Sequence, residues 1–154
     1  MPIIPAKLTD IAKLTTLYQQ LTTEMHVLQP TNYQADYTPE FFDWQQMITD
    51  PLQAVFVHQN QDAQIDAFCH VTTAQTSPSP LFIAHRFAYL TTLYVAPEAR
   101  RHHVATQLLS SAKQWQQTQA LDYLELTVLG NNPAALALYQ MLGYTTQNQT
   151  LRAN

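Results

Sequence analysis

Two runs with helical apolar spacing, residues 104–119 and 133–142, enclose a short apolar run at 121–129 that reads as a strand. Val104, Leu108, Leu109, Ala112 and Trp115 fall on one face of the first helix, so that face must pack on a sheet. A preceding strand, residues 87–95, enters this helix through Ala96-Pro97-Glu98-Ala99-Arg100-Arg101-His102-His103. A helix start carries unpaired backbone N–H groups and the positive end of the helix dipole. Arg100 and Arg101 add two fixed charges beside it, and a loop built this way is an anion site.

The second helix is bounded by its own chemistry. Asn132 is a good N-cap, Pro133 suits the first helical position, and Gly143 suits the residue just past the end. By spacing alone, Tyr139 is a core aromatic on a helix of otherwise apolar residues.

Both stretches resemble the GNAT superfamily of N-acetyltransferases. Arg100-Arg101-His102-His103-Val104-Ala105 is similar to that family's Arg/Gln-x-x-Gly-x-Gly/Ala loop, which wraps the pyrophosphate of acetyl-CoA. The arginine and the final alanine match, and His103 stands at the central glycine. Asn132, Ala135, Tyr139, Gly143 and Tyr144 match every anchor of the family's second block, Asn-x-x-Ala-x-x-x-Tyr-x-x-x-Gly-Phe/Tyr. The resemblance covers nearly the whole chain and implies an α/β fold. That fold is a single domain over residues 1–154, with a mixed, mainly antiparallel twisted sheet flanked by helices.

What the resemblance implies about function is specific. Acetyl-CoA is the donor substrate, a primary amine of a small molecule or peptide attacks it directly, and Tyr139 is the general acid for the departing thiolate. The cofactor contacts it implies are Leu93, Tyr94 and Val95 on a strand that splays from its neighbour. Arg100, Arg101, His102, His103, Val104, Ala105 and Thr106 follow at the loop and helix start, with Asn132 and Ala135 at the last helix. The family commonly takes a base, often Glu, from the strand at 88–95, where this chain has neither a carboxylate nor a histidine. His70, Glu125, Glu24, His26 and a water relay remain open for that role. A catalytically degenerate acyl-CoA-binding sensor or interaction module is the alternative, supported by His103 and by the missing strand base.

Composition narrows the partners. Only 12% of residues are charged, against about 25% in typical domains. A net charge of −4 leaves no basic groove for nucleic acid and slightly favours a cationic amine. There is no apolar run of signal-peptide or membrane-spanning length, and lone Cys69 reads as a small buried strand residue, so a cytoplasmic protein is expected. The six histidines lack metal-ligand spacing, with His102 and His103 adjacent, so no metal is expected. A homodimer through strand edges is compatible with the pattern.

Earlier in the chain a strand at 3–6 precedes a helix whose apolar face is Ile11, Leu14, Leu17, Tyr18, Leu21 and Met25. A second helix is expected at 40–49, carrying Phe41, Phe42, Trp44 and Met47, and strands at 54–58 and 65–73 form a hairpin. By resemblance, residues 26–49 line the acceptor pocket. Strict alternation along 88–95 puts Tyr89, Thr91, Leu93 and Val95 on one side, and Leu90, Thr92 and Tyr94 on the other.

Overall fold

The computed structural model describes residues 2–37 and 43–154. Among these, β1 (Ile3–Pro5), β2 (Gln53–Gln59), β3 (Ile65–Gln75), β4 (Arg86–Val95) and β5 (Leu124–Leu126) lie side by side in that order. The helices are α1 (Ile11–Leu28), α2 (Trp44–Thr49), α3 (Val104–Thr118) and α4 (Pro133–Met141). Neighbours from β1 to β4 are antiparallel, while β4 and β5 are parallel because α3 carries the chain back across the sheet.

Helices cover both faces, as the apolar stripes require. On one face Leu14 and Leu17 of α1 and Trp44 and Met47 of α2 pack with Val55, Val57, Phe68 and Tyr94. On the other, Leu108, Leu109 and Ala112 of α3 and Tyr139 of α4 pack with Ala67, Cys69, Val71, Ala88 and Leu90. A fully buried leucine such as Leu108 contributes about 1.5–3 kcal/mol by leaving water.

Two sequence expectations are corrected where β4 meets β5. In the pairing of β3 with β4, His70 faces Thr92 and Val71 faces Leu90, so Thr91 is an extra residue that bulges out. One extra residue inverts the alternation. Ala88 and Leu90 before the bulge and Leu93 and Val95 after it all join the cluster beneath α3 and α4, whereas Tyr94 joins the opposite one. The strand expected at 121–129 shrinks to Leu124–Leu126, which pairs only with Ala88, Tyr89 and Leu90. Past Leu90 and Leu126 the two strands part, so β4 runs on from Thr91 to Val95 without β5 beside it.

The expected helix at 40–49 begins at Trp44, where the Asp43 side chain accepts the Gln46 N–H at 3.0 Å; Glu40, Phe41 and Phe42 lie outside the described residues. The hairpin of β2 and β3 forms as expected. Among the described residues, no helix is long and apolar enough to cross a membrane.

Candidate functional site

The loop from β4 into α3 is shaped by two left-handed residues, Arg101 at φ 64° and His103 at φ 60°. Such a conformation costs a side-chain-bearing residue of order 1–3 kcal/mol, and histidine is among the residues enriched there. His103 therefore takes up a dihedral that glycine adopts freely, with its own side chain exposed. The first amide bonded back along the helix is Gln107 N–H, to His103 O at 3.1 Å. Among the described residues the N–H groups of Val104, Ala105 and Thr106 have no partner, which is the donor set of an anion site. Val104 anchors the turn by burying its side chain, while Ala105 and Thr106 are half-buried.

Of the two loop arginines, one is already engaged. Arg100 Nε donates to Val95 O at 2.9 Å, and its Nη2 donates to both carboxylate oxygens of Glu24 on α1, at 2.7 and 2.9 Å. The guanidinium also sits 5.8 Å from the centre of the Tyr94 ring, whose hydroxyl donates to Glu24 at 3.3 Å. Burial, then the Glu24 carboxylate, pushes the Tyr94 phenol up to about 12. Arg101 and His102 are exposed, and no carboxylate among the described residues pairs with Arg101. The uncompensated charge beside the free amides is thus Arg101.

At the start of α4, Asn132 accepts the Ala135 N–H at 3.3 Å and Pro133 occupies the first turn, while Gly143 at φ 91° follows the helix end. These caps hold Tyr139 in the cluster that contains Leu93, Val95, Val104, Leu126, Val128 and Ala135. Its ring meets Tyr144 edge-on at 5.7 Å. Burial, then Tyr144 and Cys69, pushes the Tyr139 phenol up to about 12, and its hydroxyl bonds to no other described residue. Cys69 is fully buried, with its thiol raised to about 12 by burial, and is chemically quiet. The structure thus gathers Leu93, Val95, Val104, Ala135 and Tyr139 at the parting of β4 and β5; Tyr94 lies on the far face.

That far face carries polar and aromatic groups. Phe87 stacks on Tyr123 at 4.9 Å, Tyr89 Oη lies 2.7 Å from Thr127 Oγ1, and His85 Nδ1 lies 2.8 Å from Asp122. His70 is buried with both ring nitrogens engaged, Nδ1 by Thr91 Oγ1 at 2.5 Å and Nε2 by Gln53 Oε1 at 2.8 Å. Burial holds its imidazole down to about 4. Of the other base candidates, Glu24 is tied to Arg100, His26 Nδ1 lies 2.7 Å from Tyr33 O, and Glu125 is half-buried on β5. Gln53 and Thr91 escaped sequence reasoning because Gln53 reaches His70 only through the register of β2 with β3, and Thr91 only through the bulge in β4.

The comparisons with known proteins agree with this architecture. The pattern of the Acetyltransferase (GNAT) family matches residues 15–144. No curated protein matches the chain. Among solved structures, a mutant of the BH1408 protein from Bacillus halodurans superposes with a TM-score of 0.90 at 20% identity, over 100% of this chain and 99% of that one. Aminoglycoside N-acetyltransferase AAC(6')-Iy in complex with CoA superposes with a TM-score of 0.75 at 16% identity, over 99% of this chain and 92% of that one. The acetyltransferase from Vibrio fischeri gives a TM-score of 0.64 at 23% identity, over 82% and 96%. At these identities the likeness is one of fold, and it is the family pattern, spanning residues 15–144 of 154, by which the chain belongs to the GNAT family of acetyltransferases.

Proposed function

We propose that the protein is an acetyl-CoA-dependent N-acetyltransferase that moves the acetyl group to a primary amine by direct attack, with Tyr139 as general acid. The observation that carries this reading is the Tyr139 phenol: unbonded among the described residues, raised by burial to about 12, and seated where β4 and β5 part. A proton donor to a leaving thiolate has to be protonated at the working pH and free of other partners. The free amides of Val104, Ala105 and Thr106, with Arg101 beside them, suit the pyrophosphate of the donor. Leu93 and Val95 border the gap in which β4 has lost β5 and would flank the pantetheine arm, with Asn132 and Ala135 holding the α4 start opposite. His103 supports this use of the loop, since its left-handed backbone keeps a glycine-like path and its exposed side chain is clear of the amides. One ground for a catalytically degenerate sensor thereby weakens.

The acceptor we infer is a cationic amine of a small molecule or peptide. The net charge is −4, and the far sheet face offers Phe87, Tyr89 and Tyr123 beside Glu125. Two proteins of similar fold, AAC(6')-Iy and AAC(6')-IG, are named as aminoglycoside N-acetyltransferases, which makes amino sugars the first acceptors to try. Release of free thiol from acetyl-CoA across a panel of amino sugars, polyamines, amino acids and peptides tests the proposal. Tight CoA binding with no thiol release from any amine would favour the sensor instead.

A further inference from the structure

Four side chains that the proposed reaction has not used form one hydrogen-bonded line: Asp50, Gln53, His70 and Thr91. Gln53 Nε2 donates to Asp50 Oδ2 at 3.1 Å, which turns its Oε1 towards His70. An amide oxygen only accepts, so the proton of His70 must sit on Nε2, at 2.8 Å from that oxygen. Nδ1 then holds a lone pair and accepts the Thr91 hydroxyl at 2.5 Å. An exposed hydroxyl is thus backed by a buried imidazole whose tautomer is set by a third group, the arrangement by which enzymes activate hydroxyls. Thr91 is also the bulged residue of β4, the first one past the last pairing of β4 with β5.

We infer that the Thr91 hydroxyl accepts the proton from the attacking amine and passes its own to His70, with Gln53 and Asp50 as positioning residues. The inference rests on the acetyl-transfer reading above. The cationic amine first sheds its ammonium proton to solvent; its nitrogen then bonds to the acetyl carbonyl carbon and the carbon–sulfur bond breaks. The amine proton goes to Thr91 Oγ1 as the Thr91 proton goes to His70 Nδ1, and Nε2–H stays on Gln53. The thiolate takes the Tyr139 proton. His70 then returns its proton through Thr91 to solvent, and the Tyr139 phenolate is reprotonated from water. His70 cannot meet the amine itself, because it is buried and both nitrogens are occupied, so Thr91 is the catalytic residue of the line. A buried imidazole held down to about 4 sheds the acquired proton readily, which resets the line.

The test compares wild type with Thr91→Val, Thr91→Ser and His70→Gln, using acetyl-CoA and the best amine of the panel under conditions where chemistry limits the rate. Thr91→Val keeps the shape without the hydroxyl, and its kcat is expected to fall about a hundredfold, with KM for acetyl-CoA within about twofold. Thr91→Ser is expected to recover most of the rate. His70→Gln keeps a hydrogen-bonding amide but takes up no proton, so it is expected to lose kcat like Thr91→Val, and it decides the question if Thr91→Val does not fold. Wild-type kcat in Thr91→Val or in His70→Gln overturns the inference and leaves acetyl transfer standing. Equal losses in Thr91→Val and Thr91→Ser also overturn it, by assigning Thr91 a packing role. A wild type without thiol release from any amine overturns the acetyl-transfer reading and this inference together.

Discussion

The Arg100 guanidinium grips both carboxylate oxygens of Glu24, at 2.7 and 2.9 Å, and so ties the loop before α3 to α1. The pair is half-exposed, and such pairs contribute only about 0–1 kcal/mol to stability. Its larger effect is geometric: with Nε on Val95 O, Arg100 is held at both ends and fixes where the free amides point. The sequence alone suggests a phosphate contact from Arg100; from the ion pair we infer instead that it acts as a strut. Arg100→Ala and Glu24→Gln are therefore expected to weaken CoA binding by similar amounts, on the order of 1 kcal/mol, and the double variant by much less than their sum. Calorimetry measures this directly. Tighter CoA binding in Glu24→Gln would mean that the carboxylate competes with phosphate for Arg100, and the strut account would fail.

Tyr139→Phe removes one hydroxyl from a site that otherwise stays packed against Tyr144 and the α3 cluster. Turnover is expected to drop about a hundred- to ten-thousand-fold, with CoA affinity little changed, because the proton is needed only as the thiolate departs. Single-turnover rates with chemistry limiting provide the measurement. Unchanged rates would reduce Tyr139 to packing.

Much of the fold was legible because it is written in periodic apolar spacing. The stripe of Leu14, Leu17 and Tyr18 and that of Val104, Leu108 and Leu109 placed α1 and α3 on the sheet, and Asn132, Pro133 and Gly143 bounded α4 to within a residue. The bulge at Thr91 was not legible. A bulge adds one residue without any apolar signature, and the strand on either side of it still alternates, so a reader carries the wrong phase across it. The same blind spot hid the last link of the line from Asp50 to Thr91, where Thr91 meets His70 at the bulge, while the link from Gln53 to His70 depends on a strand register that spacing alone does not fix. The Arg100–Glu24 pair escaped for a like reason: spacing marks a basic loop but not the carboxylate waiting on another helix.

His70 also makes stability depend on pH. Its imidazole is held at about 4 by burial, against 6.5 when unfolded, so between these values the unfolded chain binds a proton that the folded chain does not. The contribution is present in full above pH 6.5 and is lost as pH falls from 6.5 to 4, by about 3 kcal/mol in all. Urea midpoints are expected to fall more steeply over that window in wild type than in His70→Gln. Parallel curves would place the acid sensitivity in other groups.

His103 offers the sharpest test of the loop. At φ 60° and ψ 20° it holds a conformation that glycine adopts without strain, and its side chain is exposed. Replacing it with glycine relieves local strain but adds freedom to the unfolded chain, and these effects oppose each other at about 1 kcal/mol each. Stability of His103→Gly should therefore stay within about 1 kcal/mol of wild type. CoA affinity should be equal or tighter, because the amides of Val104, Ala105 and Thr106 keep their path. His103→Val is the contrasting variant, since a β-branched side chain fits the left-handed region poorly and should distort those amides and weaken binding. Affinity at pH 6 and pH 8 separates this account from one in which the imidazole itself binds phosphate. If His103→Gly loses affinity, most of all at pH 6, the side chain has replaced a backbone contact and the glycine-like role assigned to His103 is wrong.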